Sequence, residues 1–143
     1  MIVVDTTVLV YAVGAQHPYR EACRALVAAV SQGVVQATTT VEVVQEFAHV
    51  RARRRGRDDA GRLASSYADL LGPLTVTRDS HLRAGLELWR RHPDVGCFDA
   101  VLAAVAHDIG ASAVVSADQG FATIEGIHHV LADDAGVAAV VGS

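Results

Sequence analysis

Ile2-Val3-Val4 runs straight into Asp5, and this junction constrains the fold more than any other stretch of the chain. Three consecutive apolar residues read as a strand buried on both faces. Such strands belong to parallel sheets covered by helices, whose sites form just beyond the strand carboxyl ends. Ala113-Val114-Val115-Ser116 repeats the pattern, with Asp118 shortly after. Parallel pairing of the two strands puts Asp5 and Asp118 on the same sheet edge.

Helical periods fill the chain between these strands. Thr6 to Gly14 reads as a short helix with Thr6 or Thr7 near its start, and Tyr19 to Gln32 as a second, closed by Gly33. Val34 to Thr38 reads as a short strand, and Thr39 or Thr40 then caps a helix running to about Arg54. Asp58 or Asp59 caps another, stopped by Gly72-Pro73. Leu74 to Thr77 is strand-like, Asp79 opens a helix ending near His92, and Phe98 to Asp108 forms the next. Ala117 to Gly126 reads as a turn with one helical turn, and His128 to Leu131 as an edge strand. The pattern leaves the tail, Asp133 to Ser143, open between docking, pairing and fraying. Strands alternating with helices predict one α/β domain over residues 1–143, with a mainly parallel sheet.

Composition narrows the function classes. Hydrophobic residues make up 51%, enough for a folded core rather than a disordered chain. No apolar run approaches the roughly 20 residues of a membrane span, and Asp5 interrupts any secretory leader. Cys23 and Cys97 make no disulfide framework, so a reduced, cytoplasmic protein is expected. The net charge of −4 speaks against bulk affinity for nucleic acid. All 12 basic residues are nevertheless Arg, and half of them fall between Arg51 and Arg62.

Four acids stand out by position. Asp5 and Asp118 follow strands. Asp99 is the one ionisable residue between Phe98 and Ala106, on a helix apolar all round and therefore buried. Glu46 borders the stripe Val43, Phe47, Val50, with Glu42 one turn earlier and farther from it. Each has a structural reading of its own: Asp5 and Asp99 as helix caps, Asp118 as a turn residue, Glu46 as a solvated helix residue. Together they repel unless a cation neutralises them, and oxygen-only ligands suit Mg²⁺ or Mn²⁺. Such ions serve phosphodiester hydrolysis. The absence of Lys removes haloacid-dehalogenase-type phosphatases, receiver domains and P-loop NTPases, which all place a Lys on a phosphoryl group.

In order along the chain these stretches resemble the PIN-domain ribonucleases, and especially VapC-type toxins of bacterial toxin–antitoxin pairs. Val4-Asp5-Thr6-Thr7-Val8-Leu9 is similar to the first family motif. Thr39 to Phe47, with Glu46 as the match, is similar to the second. Phe98-Asp99-Ala100 and Ser116-Ala117-Asp118-Gln119-Gly120-Phe121 are similar to the third and fourth. The resemblance implies a three-layer α/β/α sandwich and Mg²⁺- or Mn²⁺-dependent endonucleolytic cleavage of RNA, leaving 5′-phosphate and 3′-hydroxyl ends. It also implies a homodimer and a cognate VapB-like antitoxin. Carried over, Asp5, Glu46, Asp99 and Asp118 form the catalytic set. Asp5 and Asp99 hold the principal ion, and Asp118 completes its shell or holds a second. Glu46 acts through water or positions the nucleophile. Thr7, Ser116 and Glu42 are candidates for a supporting role around the ion, the two hydroxyls through a metal-bound water. Position 7 departs mildly from the family, which often has Asn or Ser there.

Arg51, Arg53, Arg54, Arg55 and Arg57 sit at a helix C-terminus. They read either as a solvated, dipole-compensated end or as contacts to RNA or an acidic antitoxin segment. The seven histidines show no H-x-x-x-H pair, so structural zinc is not expected. His49 stands one turn from Glu46. Trp89, with Leu82, Leu86 and Gly85, reads as core or dimer interface. The alternative to an enzyme is a PIN-like module that binds RNA or a partner without cutting.

Overall fold

A computed structural model describes all residues, 1–143. Its centre is a four-stranded sheet, β1 (Ile2–Val4), β2 (Ala37–Thr38), β3 (Val114–Ser116) and β4 (His129–Leu131), in the order β2-β1-β3-β4. Every pairing is parallel, with Val3 opposite both Thr38 and Val114, and Val115 opposite Val130. The two central strands are buried along their whole length, as their unbroken apolar runs require.

Seven α-helices connect and cover the strands: α1 (Thr6–Ala12), α2 (Arg20–Ser31), α3 (Val41–Arg55), α4 (Arg57–Leu70), α5 (Asp79–Arg91), α6 (Cys97–Asp108) and α7 (Asp134–Val141). The result is a three-layer α/β/α sandwich of the PIN-like kind. One cluster of 30 buried residues runs from Ile2 to Val137, with Phe47 and Phe121 its largest fully buried side chains. Within the helices, α3 packs on α4 and α5 on α6. The α5–α6 contact is tight because Gly85 presents no side chain: a Cβ there would lie 2.7 Å from the Val101 Cα. No helix is long and apolar enough to cross a membrane.

Three expectations are corrected and a fourth is narrowed. Leu74 to Thr77 is no strand but a single parallel bridge between Thr75 and Thr40. The chain turns away after one bonded pair, because Asp79 already opens α5. Neither Asp58 nor Asp59 caps α4. Gly56 holds that position at φ 84°, and the two acids lie in the first turn, where the helix dipole still favours them. Trp89, Leu82 and Leu86 are exposed on α5, which removes the core alternative of their reading and keeps the interface one. Phe98, on the helix read as buried all round, is 70% exposed, because the buried part of α6 begins only at Ala100 and its first turn opens onto a cleft. The open question of the tail is resolved as α7, capped by the Asp133 side chain accepting from the Gly136 N–H. Both cysteines are free thiols.

Candidate active site

Parallel pairing of β1 with β3 fixes two acids beside each other. Asp5 follows β1, Asp118 lies two residues beyond β3, and both strands end at the same sheet edge. Asp5 is buried and caps α1. Its Oδ2 accepts from the Thr7 hydroxyl at 2.8 Å, the Ser116 hydroxyl at 2.7 Å and the Thr7 N–H at 3.4 Å. The hydroxyls are themselves held from behind. Thr7 Oγ1 accepts from the Ala117 N–H at 3.0 Å, and Ser116 Oγ from the Asp118 N–H at 2.9 Å. A hydroxyl has one proton to give, and both are directed at Asp5. Thr7 and Ser116 therefore orient Asp5 directly.

The other acids arrive from two helices. Glu46 comes from the middle of α3, whose N-terminus is fixed by Thr40 accepting from the Val43 N–H. Thr39 ties this junction to β1 by donating to the Val4 carbonyl at 2.6 Å. Asp99 stands in the first turn of α6. All four, Asp5, Glu46, Asp99 and Asp118, line one cavity of about 300 Å³. The residues that sequence position singled out are thus brought together from β1, α3, α6 and the loop after β3.

Their electrostatics record the crowding. Burial first, then the charge of Asp5, a hydrogen bond with Asp118 and the charges of Asp118 and Glu46 push the Asp99 carboxyl from 3.8 up to about 8. A helix dipole favours a first-turn carboxylate by about 0.3–1 kcal/mol, less than the ~1.4 kcal/mol of one pKa unit. The dipole is therefore outweighed. Glu46 is also raised, by burial and by Asp5, with His49 pulling the other way.

The donor set, carboxylate oxygens with no thiolate, fits a hard divalent cation, which would relieve the repulsion seen at Asp99. The side chains face one space without closing into a cage of three or more ligands. Asp5, Asp99 and Asp118 are the residues that would hold the ion.

The remaining candidates separate. Glu42 lies one turn before Glu46 and accepts from the Thr77 hydroxyl at 2.9 Å. Arg51 is committed elsewhere, donating to Asp59 at 2.6 Å and to the Val13 carbonyl at 2.9 Å. It ties α3 to α4 and to the end of α1. Arg53, Arg54, Arg55 and Arg57 are exposed, and Arg54 lines the cavity of the four acids together with Tyr11. Tyr11, Thr77, Arg78 and Phe98 reach the site region without having been singled out. Only Phe98 left a trace in sequence, as the neighbour of Asp99.

A family model described as the PIN domain matches residues 2–127. Ribonuclease VapC7 of Mycobacterium tuberculosis (strain ATCC 25618 / H37Rv) is 48% identical over 143 residues, covering 99% of each chain. Ribonuclease VapC13 of the same organism is 31% identical over 132 residues, covering 89% of this chain and 97% of its own. With its fold, its order of acids and these similarities, the chain belongs to the PIN-domain family and, within it, to the VapC-type group.

Proposed function

We propose that this protein is a divalent-metal-dependent endoribonuclease, the toxin of a VapBC-type pair. The observation that carries the reading is the convergence of Asp5, Glu46, Asp99 and Asp118 on one cavity, where burial and the neighbouring carboxylates push Asp99 up to about 8. When bound, Mg²⁺ or Mn²⁺ supplies activation of water and neutralisation of charge at the phosphate. The chain's own part is positional. Thr7 and Ser116 fix Asp5, α6 presents Asp99, and Glu46 stands ready to orient the attacking water. Arg54 flanks the same cavity with a fork suited to phosphate oxygens.

The names of the VapC ribonuclease relatives support RNA as the substrate class. A VapB-like antitoxin is the partner expected with such a toxin, and an acidic segment of it would compete with RNA for the exposed arginines. The exposed Leu86 and Trp89 on α5 support a homodimer.

Asp99→Asn tests the reading, because Asp99 caps no helix and the amide keeps the size of the side chain. Parent protein should cleave single-stranded RNA with Mn²⁺ and show a Tm raised by Mn²⁺. The variant should lose both while keeping its far-UV spectrum. A parent that gains stability from Mn²⁺ and binds RNA but never cuts it would establish the non-catalytic module instead.

A further inference from the structure

A second lobe of the cleft, of about 410 Å³, is lined by three of the same acids, Asp5, Glu46 and Asp99, and by side chains that have no part in the chemistry above. It leads from Asp5 and Asp99 over a floor that includes Val43, Val101 and Leu102. Its size is within the range of small-molecule sites. Phe98 lines it, and lines the open cleft beside Glu42 and Glu46 as well. This ring is 70% exposed although it immediately precedes Asp99.

The lining selects among the parts of a nucleic acid. A phosphate placed here would face the carboxylates of Glu42, Asp79 and Asp99. A neutral base would not, and a flat apolar face is what an aromatic ring and an aliphatic floor can cover. Glu42 stands at the polar edge. One of its oxygens takes the Thr77 proton, and the other has capacity to accept. A carboxylate accepts and does not donate, so at the 4-position it pairs with the amino group of cytosine and is repelled by the O4 of uracil, which has only its N3–H to offer. Arg78 also lines the cavity and has no carboxylate partner within 4.0 Å, leaving it free for the next phosphate along.

On the reading of this cleft as an RNA-cleaving site, we propose that the cavity is a nucleobase subsite. Phe98 stacks the base beside the scissile phosphate, and Glu42 favours a base with an exocyclic amino group, cytosine over uracil.

Two measurements decide it. Binding is read in the Asp118→Asn background, since Asp118 does not line this cavity, with oligonucleotides carrying 2-aminopurine, whose fluorescence falls on stacking. Cleavage is read in the parent background with Mn²⁺. Adding Phe98→Ala should abolish the quench and lower kcat/KM about tenfold, and Phe98→Tyr should restore both. An abasic nucleotide beside the cut should cost the parent about as much, and the Phe98→Ala variant nothing further. Cytosine should be preferred to uracil there by about tenfold, and Glu42→Gln should erase the preference.

Cleavage with no quench at any position overturns the subsite and leaves the nuclease reading intact. Quench without cleavage does the reverse. Equal abasic penalties with and without Phe98 overturn the stacking role, and an unchanged base preference in Glu42→Gln overturns the reading of the amino group. A Phe98→Ala variant that changes sedimentation from dimer to monomer, with base dependence intact, assigns the ring to a contact between copies and overturns the proposal. Loss of antitoxin binding alone would assign it to that partner with the same consequence.

Discussion

Hydrogen-bond capacity at single residues decides what each can do. Thr7 and Ser116 spend their protons on Asp5, so the oxygen they hold is fixed while Asp5 still lines the cavity. The same accounting applies to His81, buried between α5 and α6. Its Nδ1 accepts from the Arg78 N–H at 2.9 Å, so its Nε2 carries the proton donated to Asp108 at 2.9 Å. That hydrogen bond, with the nearby charge of Arg78, holds the Asp108 carboxyl below its usual range. A depressed folded-state value stabilises the native protein above the unfolded carboxylate range, and the gain disappears as pH falls through the depressed value. Asp108→Asn keeps an acceptor for His81 and removes the charge. The variant should melt below the parent at neutral pH, with the gap closing on acidification. A gap that is constant from neutral to acid pH would show that the charge contributes nothing.

At the level of elements, the site depends on how closely α6 can approach its neighbours. Alanines at 100, 103, 104 and 106 bury the helix, and Gly85 lets α5 lie directly on Val101. In Gly85→Ala the better helix propensity of Ala returns about 1 kcal/mol. The new methyl meets backbone, which no rotamer change relieves, and overpacking of this kind costs about 1–3 kcal/mol. A net loss is expected, seen as a lower urea midpoint at unchanged m. An unchanged midpoint would mean that α5 moves away from α6 without penalty. The sequence located α5 by Asp79 at its start and Pro93 after its end, and α6 by its apolar run closed at Gly110, while the absence of a strand at Leu74 to Thr77 was not legible. A four-residue β-like run does not reveal whether a neighbour remains to pair with it.

Across the whole molecule the charge is −4, yet half of its arginines fall between Arg51 and Arg62, and one of these, Arg54, lines the acidic cleft. The exposed four and the committed one should behave differently. Replacing Arg53, Arg54, Arg55 and Arg57 should flatten the salt dependence of RNA binding, by about 0.7 in the log–log slope for each phosphate that is no longer neutralised. Arg51→Ala should instead lower Tm and leave the slope alone, because its guanidinium joins Asp59 to the Val13 carbonyl. A slope that drops equally in Arg51→Ala would place that residue on the RNA after all.

Taken alone, the chain's order of residues determined the strands β1 and β3, the alternation with helices, and the four acids worth following. These are local facts: apolar runs, caps and a carboxylate just past a strand end are written within a few residues of one another. Only the tertiary structure decided that Arg51 is structural, that Thr7 and Ser116 point at Asp5, and that Phe98 stands in the open beside Asp99. Each of those depends on a partner or a gap supplied by a remote segment. A single side chain's sequence neighbours do not specify which distant backbone will meet it.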